Sequence, residues 1–212
     1  MANETNELLQ RFVATPSESR EFLRNPILRD DWVYATDGSI LIRVPRVEDI
    51  DAAESDLPKR LAEIFDNPRG ETFVDLPDLP PAEACTPCHG SGIAYKCKAC
   101  KGAGWLDRGG EDYDCKSCVG SGQTGEGDET DKVPCSACNG TRIFLNQRVT
   151  VGNIFFARRY LEKIKSLPEV RFATPPDNTI PAYFSFDGGE GLLMPMIEYV
   201  GGVWVPVKRR KT

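Results

Sequence analysis

Four times between residues 85 and 142 the chain repeats one phrase, two cysteines separated by two residues and followed by glycines at fixed offsets. The copies begin at Cys85-Thr-Pro-Cys88, Cys97-Lys-Ala-Cys100, Cys115-Lys-Ser-Cys118 and Cys135-Ser-Ala-Cys138. Three continue x-Gly-x-Gly, through Gly90 and Gly92, Gly102 and Gly104, Gly120 and Gly122; the fourth has Gly140 and then Arg142. A spacing of two lets one tight turn aim both sulfurs at a single tetrahedral ion. The glycines permit positive φ and let backbone N–H groups approach the sulfurs. Two such turns complete a four-cysteine set, so four make two. Disulfides within the pairs are the alternative, but they would leave a glycine-rich segment with almost no core to fold around. Metal coordination supplies that missing free energy, on the order of 10 kcal/mol or more per structural site. The expectation is two zinc ions. The lone His89, between a ligand and Gly90, reads as exposed and not as a ligand, because each ion already has four thiolates. Arg142 departs from the repeat, so the last turn is expected to differ.

The rest of the chain bounds the context. It has 212 residues, 40% hydrophobic and 27% charged, which suits one core plus a small satellite. A net charge of −6 makes the chain as a whole no polyanion binder, so any nucleic-acid contact needs a local basic face. No apolar run approaches a membrane span, and Met1-Ala2-Asn3-Glu4 lacks the order of a signal peptide. A cytoplasmic location is the expectation, where thiols stay reduced.

The eight cysteines and eleven of the 19 glycines fall within 85–142. The flanks, 1–84 and 143–212, read as two incomplete halves of one domain. Leu8, Leu9, Phe12 and Val13 mark a short helix that Thr5 or Asn6 could cap. Trp32–Thr36 and Ser39–Val44 flank Asp37-Gly38 as a hairpin. A second helix is expected at 58–66, with Pro58 in its first turn and Leu61, Ile64 and Phe65 apolar. After the module come a strand around Arg148–Phe156 and a helix from Ala157 to Leu167 with Tyr160, Leu161, Ile164 and Leu167 buried, ended by Pro168. Strands follow at Val170–Ala173 and Tyr183–Phe186, then a last hairpin around Gly201-Gly202. The fold class is α+β, with a mostly antiparallel sheet and helices. The segment Gln123–Pro134, with Glu126, Asp128, Glu129 and Asp131, reads as a solvated acidic loop.

The fourfold repeat resembles the cysteine-rich zinc domain of the DnaJ (Hsp40) co-chaperones. The resemblance covers 85–142 and implies a β-hairpin-like arm with interleaved sites, the first turn pairing with the fourth and the second with the third. Carried over, Cys85, Cys88, Cys135 and Cys138 hold one zinc, and Cys97, Cys100, Cys115 and Cys118 the other. Pairing the outer turns also brings the ends of the module together, as an insertion between two halves of a domain requires. A J-domain needs a His-Pro-Asp tripeptide, and the only histidine is His89, so stimulation of an Hsp70 ATPase is not expected.

The flanks resemble one domain of the bacterial sliding clamp (DNA polymerase III β subunit). The likeness rests on Tyr34-Ala35-Thr36-Asp37-Gly38-Ser39-Ile40-Leu41, on Phe156–Leu161 continuing to Leu167-Pro168, and on Leu193-Met194-Pro195-Met196, in that order. It implies a single clamp-like domain, 1–84 with 143–212, carrying the inserted module; the combination also resembles small bacteriophage proteins. In assembled clamps such helices face DNA. Arg158, Arg159, Lys163 and Lys165 therefore carry two readings, a solvated helix face or phosphate contact without sequence readout. The tail Lys208-Arg209-Arg210-Lys211 invites the same two. Trp105, Tyr113 and Trp204 read either as packed aromatics or as a binding surface.

No enzyme is expected. A His-based triad has no base, no phosphate-binding Gly-x-x-x-x-Gly-Lys loop occurs, and zinc ligated only by cysteines has no open position for water. The function expected is a non-catalytic interaction protein that engages a replication or host protein, or DNA, with the zinc arm as second surface. No membrane or small-molecule substrate is expected. The alternatives are a holdase that binds unfolded polypeptide on the arm and a dithiol oxidoreductase.

Overall fold

The computed structural model describes residues 2–15, 20–54, 65, 72–107, 109–200 and 203–205. The chain divides into two compact units, one built from 1–79 and 148–212 and the other from 80–147.

The first unit opens with helix α1 (Ala2–Gln10), which buries Leu9 and, just beyond its end, Phe12. Thr5 and Asn6 lie inside the helix and do not cap it; Asn6 instead accepts the Asp51 N–H at 3.2 Å. Strands β1 (Ile27–Arg29), β2 (Trp32–Thr36), β3 (Ile40–Pro45), β4 (Ala53–Glu54) and β5 (Thr72–Val74) follow. The β2–β3 hairpin forms with Thr36 opposite Leu41, but its turn is centred on Gly38-Ser39 and not on Asp37-Gly38. Gly38 takes φ +91 as the first turn residue, and Asp37 stays outside, its Oδ1 accepting the N–H groups of Ser39 and Ile40 at 2.9 and 3.1 Å. The helix expected at 58–66 lies outside the described residues except for Phe65.

The second unit contains β6 (Ile93–Lys96), β7 (Trp105–Asp107), β8 (Asp112–Asp114), β9 (Gln123–Thr124) and β10 (Lys132–Pro134). β6 sits between β10 and β9, and β7 with β8 makes a separate two-stranded ribbon. The acidic segment 123–134 is ordered backbone and not a loose loop. It supplies two of these strands and a 3-10 turn at Glu129–Asp131, and Gly127 packs against the Tyr95 ring too closely for any Cβ.

The chain returns to the first unit through β11 (Arg148–Val151), β12 (Ile154–Ala157), α2 (Arg158–Lys165), β13 (Arg171–Thr174), β14 (Ala182–Phe186), β15 (Gly189–Leu193), β16 (Glu198–Val200) and β17 (Val203–Val205). The single strand expected at 148–156 is two, because Gly152, at φ +61, and Asn153 fold it into a hairpin with Val151 opposite Ile154. The eight-stranded sheet runs β4-β1-β2-β3-β15-β14-β13-β5, antiparallel except for β4 against β1. Its centre joins the two flanks of the sequence, Leu41 of β3 opposite Leu192 of β15. One face is covered by apolar side chains of α1, the β11–β12 hairpin and α2, with Phe12, Phe156, Phe172 and Phe184 fully buried. On the other face Arg43 is buried between the Trp32 and Phe65 rings, 4.4 and 4.2 Å from their centroids, and ion-paired with Glu190 at 2.6 Å. No helix among the described residues is long and apolar enough to cross a membrane.

Candidate metal centres

Each cysteine pair sits in the same local turn. The residue after the second cysteine is left-handed in all four, His89 at φ 49, Lys101 at 54, Val119 at 51 and Asn139 at 49. The next glycine closes the turn by donating its N–H to the first cysteine's carbonyl, at 3.0 to 3.2 Å. The chain then bends back, so the N–H groups of Gly92, Gly104 and Gly122 reach the sulfurs of Cys88, Cys100 and Cys118 at 3.3, 3.2 and 3.2 Å. N–H donors to sulfur stabilise the thiolate that a metal needs.

Arg142 leaves the backbone shape of the fourth turn unchanged but not its bonding: among the described residues the Arg142 N–H does not reach the Cys138 sulfur as those of Gly92, Gly104 and Gly122 reach theirs. It adopts φ 72, beside 76, 85 and 72 for Gly92, Gly104 and Gly122, and Gly140 and Thr141 repeat the same backbone bonds. The turn geometry is imposed by its closing bonds, and the arginine accepts a strained conformation to complete it. Arg142→Gly is therefore expected to stabilise this unit by about 1 kcal/mol. Hydrogen exchange of the Cys135–Ile143 amides should slow; unchanged or faster exchange would mean that the arginine side chain outweighs the strain.

The turns pair by a local pseudo-twofold arrangement. Cys97 donates its N–H to Gly122 O and Cys115 donates to Gly104 O, at 2.9 and 2.8 Å. Cys85 donates likewise to Arg142 O and Cys135 to Gly92 O, at 2.9 and 3.0 Å. The result is two buried four-sulfur groups, Cys85, Cys88, Cys135 and Cys138 in one and Cys97, Cys100, Cys115 and Cys118 in the other. Within each group all sulfurs lie within 4.8 Å of one another. The cross-pairs are Cys85–Cys135 at 4.0 Å, Cys88–Cys138 at 3.8 Å, Cys97–Cys115 at 3.9 Å and Cys100–Cys118 at 3.7 Å. Four sulfurs at roughly 2.3 Å from a common centre stand ~3.8 Å apart in a tetrahedron, so the donor set and its dimensions fit a metal held by four thiolates. Each group could hold one ion. His89 is exposed and stands outside both.

Without a metal the sulfurs divide their protons unequally. Burial pushes the Cys85 thiol up to about 12 and the Cys118 thiol up to about 11, and raises Cys135 as well. Burial opposes ionisation of Cys88 too, but the Gly92 N–H and the neighbouring thiols outweigh it and bring Cys88 down to about 6. The Gly104 N–H and the Cys97 thiol do the same for Cys100, which falls to about 7. The first group thus sets Cys88, inclined to be a thiolate, beside Cys85 and Cys135, whose protons a cation must displace, and the second sets Cys100 beside Cys118.

The four basic residues of the other unit are engaged within it. Arg158 ion-pairs with Glu162 at 2.9 Å, Arg159 donates to Tyr160 Oη at 2.9 Å, and Lys165 reaches Pro77 O at 2.9 Å. Lys163 donates to Arg11 O at 2.7 Å, beyond the C-terminal end of α1, where a cation is favourable. Tyr160, Leu161 and Ile164 are buried as the amphipathic pattern requires. Tyr160 also donates to Asp37 Oδ2 at 2.9 Å, tying α2 to the β2–β3 turn, a long-range contact with no local signal in the sequence. Trp105 and Tyr113 are about half exposed. The Trp204 side chain and the basic tail at 208–211 lie outside the described residues.

No protein-family model matches the chain, and no curated protein matches it. Among solved structures it is similar to the C. crescentus beta sliding clamp, at 13% identity and a TM-score of 0.37, over 94% of this chain and 64% of that one. The chain therefore spans less than two thirds of that protein's length.

Proposed function

We propose that residues 80–147 form a structural two-zinc module of the DnaJ-like kind and that the protein is a non-catalytic interaction protein, with a protein as its partner. The observation that carries this reading is the pair of buried four-cysteine groups whose sulfur spacing matches tetrahedral coordination. Zinc fits because four thiolates are its usual structural set, and a saturated shell leaves no position at which to activate water. Saturation also argues against a dithiol oxidoreductase, since a coordinated sulfur is withheld from exchange. A protein partner is favoured over DNA because Arg158, Arg159, Lys163 and Lys165 are spent on contacts within their own unit. A clamp-like role for the eight-stranded unit belongs to the same proposal and rests on the ordered motifs at 34–41, 156–168 and 193–196. The holdase reading draws on the exposed Ile93, Trp105, Tyr113 and Val119 of the module.

Elemental analysis of reduced, freshly purified protein should return two zinc ions per chain. X-ray absorption should show four sulfurs at roughly 2.3 Å about each. One ion or none, or oxygen and nitrogen in the shell, would overturn the zinc assignment.

A further inference from the structure

The β7–β8 ribbon leaves the second four-cysteine group with two unlike faces. Directly opposed residues of an antiparallel pair point to the same side. Leu106 stands opposite Tyr113 on one side, and Leu106 packs against the cysteines. The other side carries Trp105 opposite Asp114 and Asp107 opposite Asp112. All four are exposed, Trp105 at 48%. This juxtaposition is unfavourable for the ribbon itself. Aspartate is a poor strand residue, and like charges directly opposite one another repel. Asp107 has a local use, accepting the Gly110 N–H at 3.1 Å in the turn, but among the described residues no cation pairs with Asp112 or Asp114. The lysines that do pair in this unit, Lys98 and Lys132, are taken by Asp128 and Glu129.

We propose that the Trp105–Asp107–Asp112–Asp114 face is a docking surface for a cationic polypeptide segment rich in Arg and Lys. An indole flanked by carboxylates matches the chemistry of a guanidinium or ammonium, one group offering a π face and the others opposite charge. The same carboxylates repel nucleic acid and anionic lipid. The ribbon has only two strands, so the outer backbone groups of β7 and β8 are open to an added strand, which suits a polypeptide better than a small polyamine. The proposal rests on the reading of this unit as a metal-stabilised interaction module and names the chemistry of its partner.

The test uses the full zinc-loaded chain and a fluorescein-labelled (Arg-Lys)6 peptide, followed by anisotropy at low salt. Metal content is measured on every sample. The peptide should bind, weaken steeply with added salt, and lose roughly tenfold in affinity on Trp105→Ala and again on the double change Asp112→Asn with Asp114→Asn. The pair Glu126→Gln with Asp131→Asn removes the same charge elsewhere in the unit and should leave binding near wild type. Equal loss from that control pair would reduce the effect to net charge and overturn the proposal. So would unchanged binding by the combined Trp105, Asp112 and Asp114 variant, displacement by spermine as effective as by unlabelled peptide, or no binding to protein that holds both ions. Protein purified without metal would instead refute the metal reading, which keeps the two failures apart.

Discussion

Stripping the metal from the reduced protein is expected to unfold residues 85–142 while leaving the eight-stranded sheet folded. Apart from the cysteines, the two buried clusters of the small unit hold, among the described residues, only Ala94, with Val133 and Leu106 packed partly against them. Burying a Val or Leu contributes about 1.5–3 kcal/mol, whereas ordering each backbone residue costs about 1–2 kcal/mol. Three small contacts cannot offset that over some fifty residues. The two metal sites, at roughly 10–16 kcal/mol each, are the largest favourable contribution left, and without them the unit loses its main support. Acid should act as the chelator does, because protons and metal compete for the sulfurs. Metal must displace the protons that Cys85 holds up to about 12 and Cys118 up to about 11, so affinity falls as the pH falls. Once the pH drops below about 7 and then about 6, Cys100 and Cys88 also keep their protons and the loss steepens. Hydrogen exchange should show the Cys97 and Cys115 amides losing protection by orders of magnitude, with Ile42 and Phe184 unaffected. Protection that persists in 85–142 after the metal has gone would show that the unit stands without it.

Alanine at Gly122 or Gly104 is expected to cost the protein the second four-cysteine group alone. A Cβ on Gly122 would lie 2.3 Å from Gly102 O, and one on Gly104 2.4 Å from Gly120 O. Both obstacles are backbone, in turns held by the Cys97 and Cys115 N–H bonds, so neither can swing aside as a side chain would. Positive φ adds a further ~1 kcal/mol of strain. Either variant should retain one metal per chain, with Cys85, Cys88, Cys135 and Cys138 still protected from alkylation and the inner four modified. Gly109 and Gly110 are the control. They share the positive φ but would meet nothing within 4 Å, so alanine there should cost only the ~1 kcal/mol of strain and leave both metals bound. Two metals retained in Gly122→Ala would mean that the paired turns can separate without losing the site.

The sequence by itself determined what is set within a few residues. A Cys-x-x-Cys pair with glycines behind it dictates a turn that aims two sulfurs one way. Two runs rich in aromatic and β-branched residues around a turn dipeptide dictate the β2–β3 hairpin, and the Tyr160, Leu161 and Ile164 spacing dictates which side of α2 is buried. Misreadings at this level came from competing local bonds. Asp37 is drawn out of its turn by the N–H groups of Ser39 and Ile40. Arg142 was half legible: it takes a glycine's conformation because the closing bonds require it, yet its N–H makes no bond to the Cys138 sulfur among the described residues.

Tertiary structure decided everything that joins distant positions. Spacing says that two turns complete a metal set, but not which two; that choice lies in N–H bonds reaching 25 residues from Cys97 to Gly122 and 57 from Cys85 to Arg142. The short strands β1, β4 and β5 have too few residues to show a period and exist because neighbouring strands pair with them. Arg158, Arg159, Lys163 and Lys165 look in sequence like a free basic face. Arg158 and Arg159 are engaged within α2 itself, by Glu162 and Tyr160, but folding spends Lys163 and Lys165 on Arg11 O and Pro77 O, because a long cationic side chain takes whichever acceptor the packed elements bring within reach.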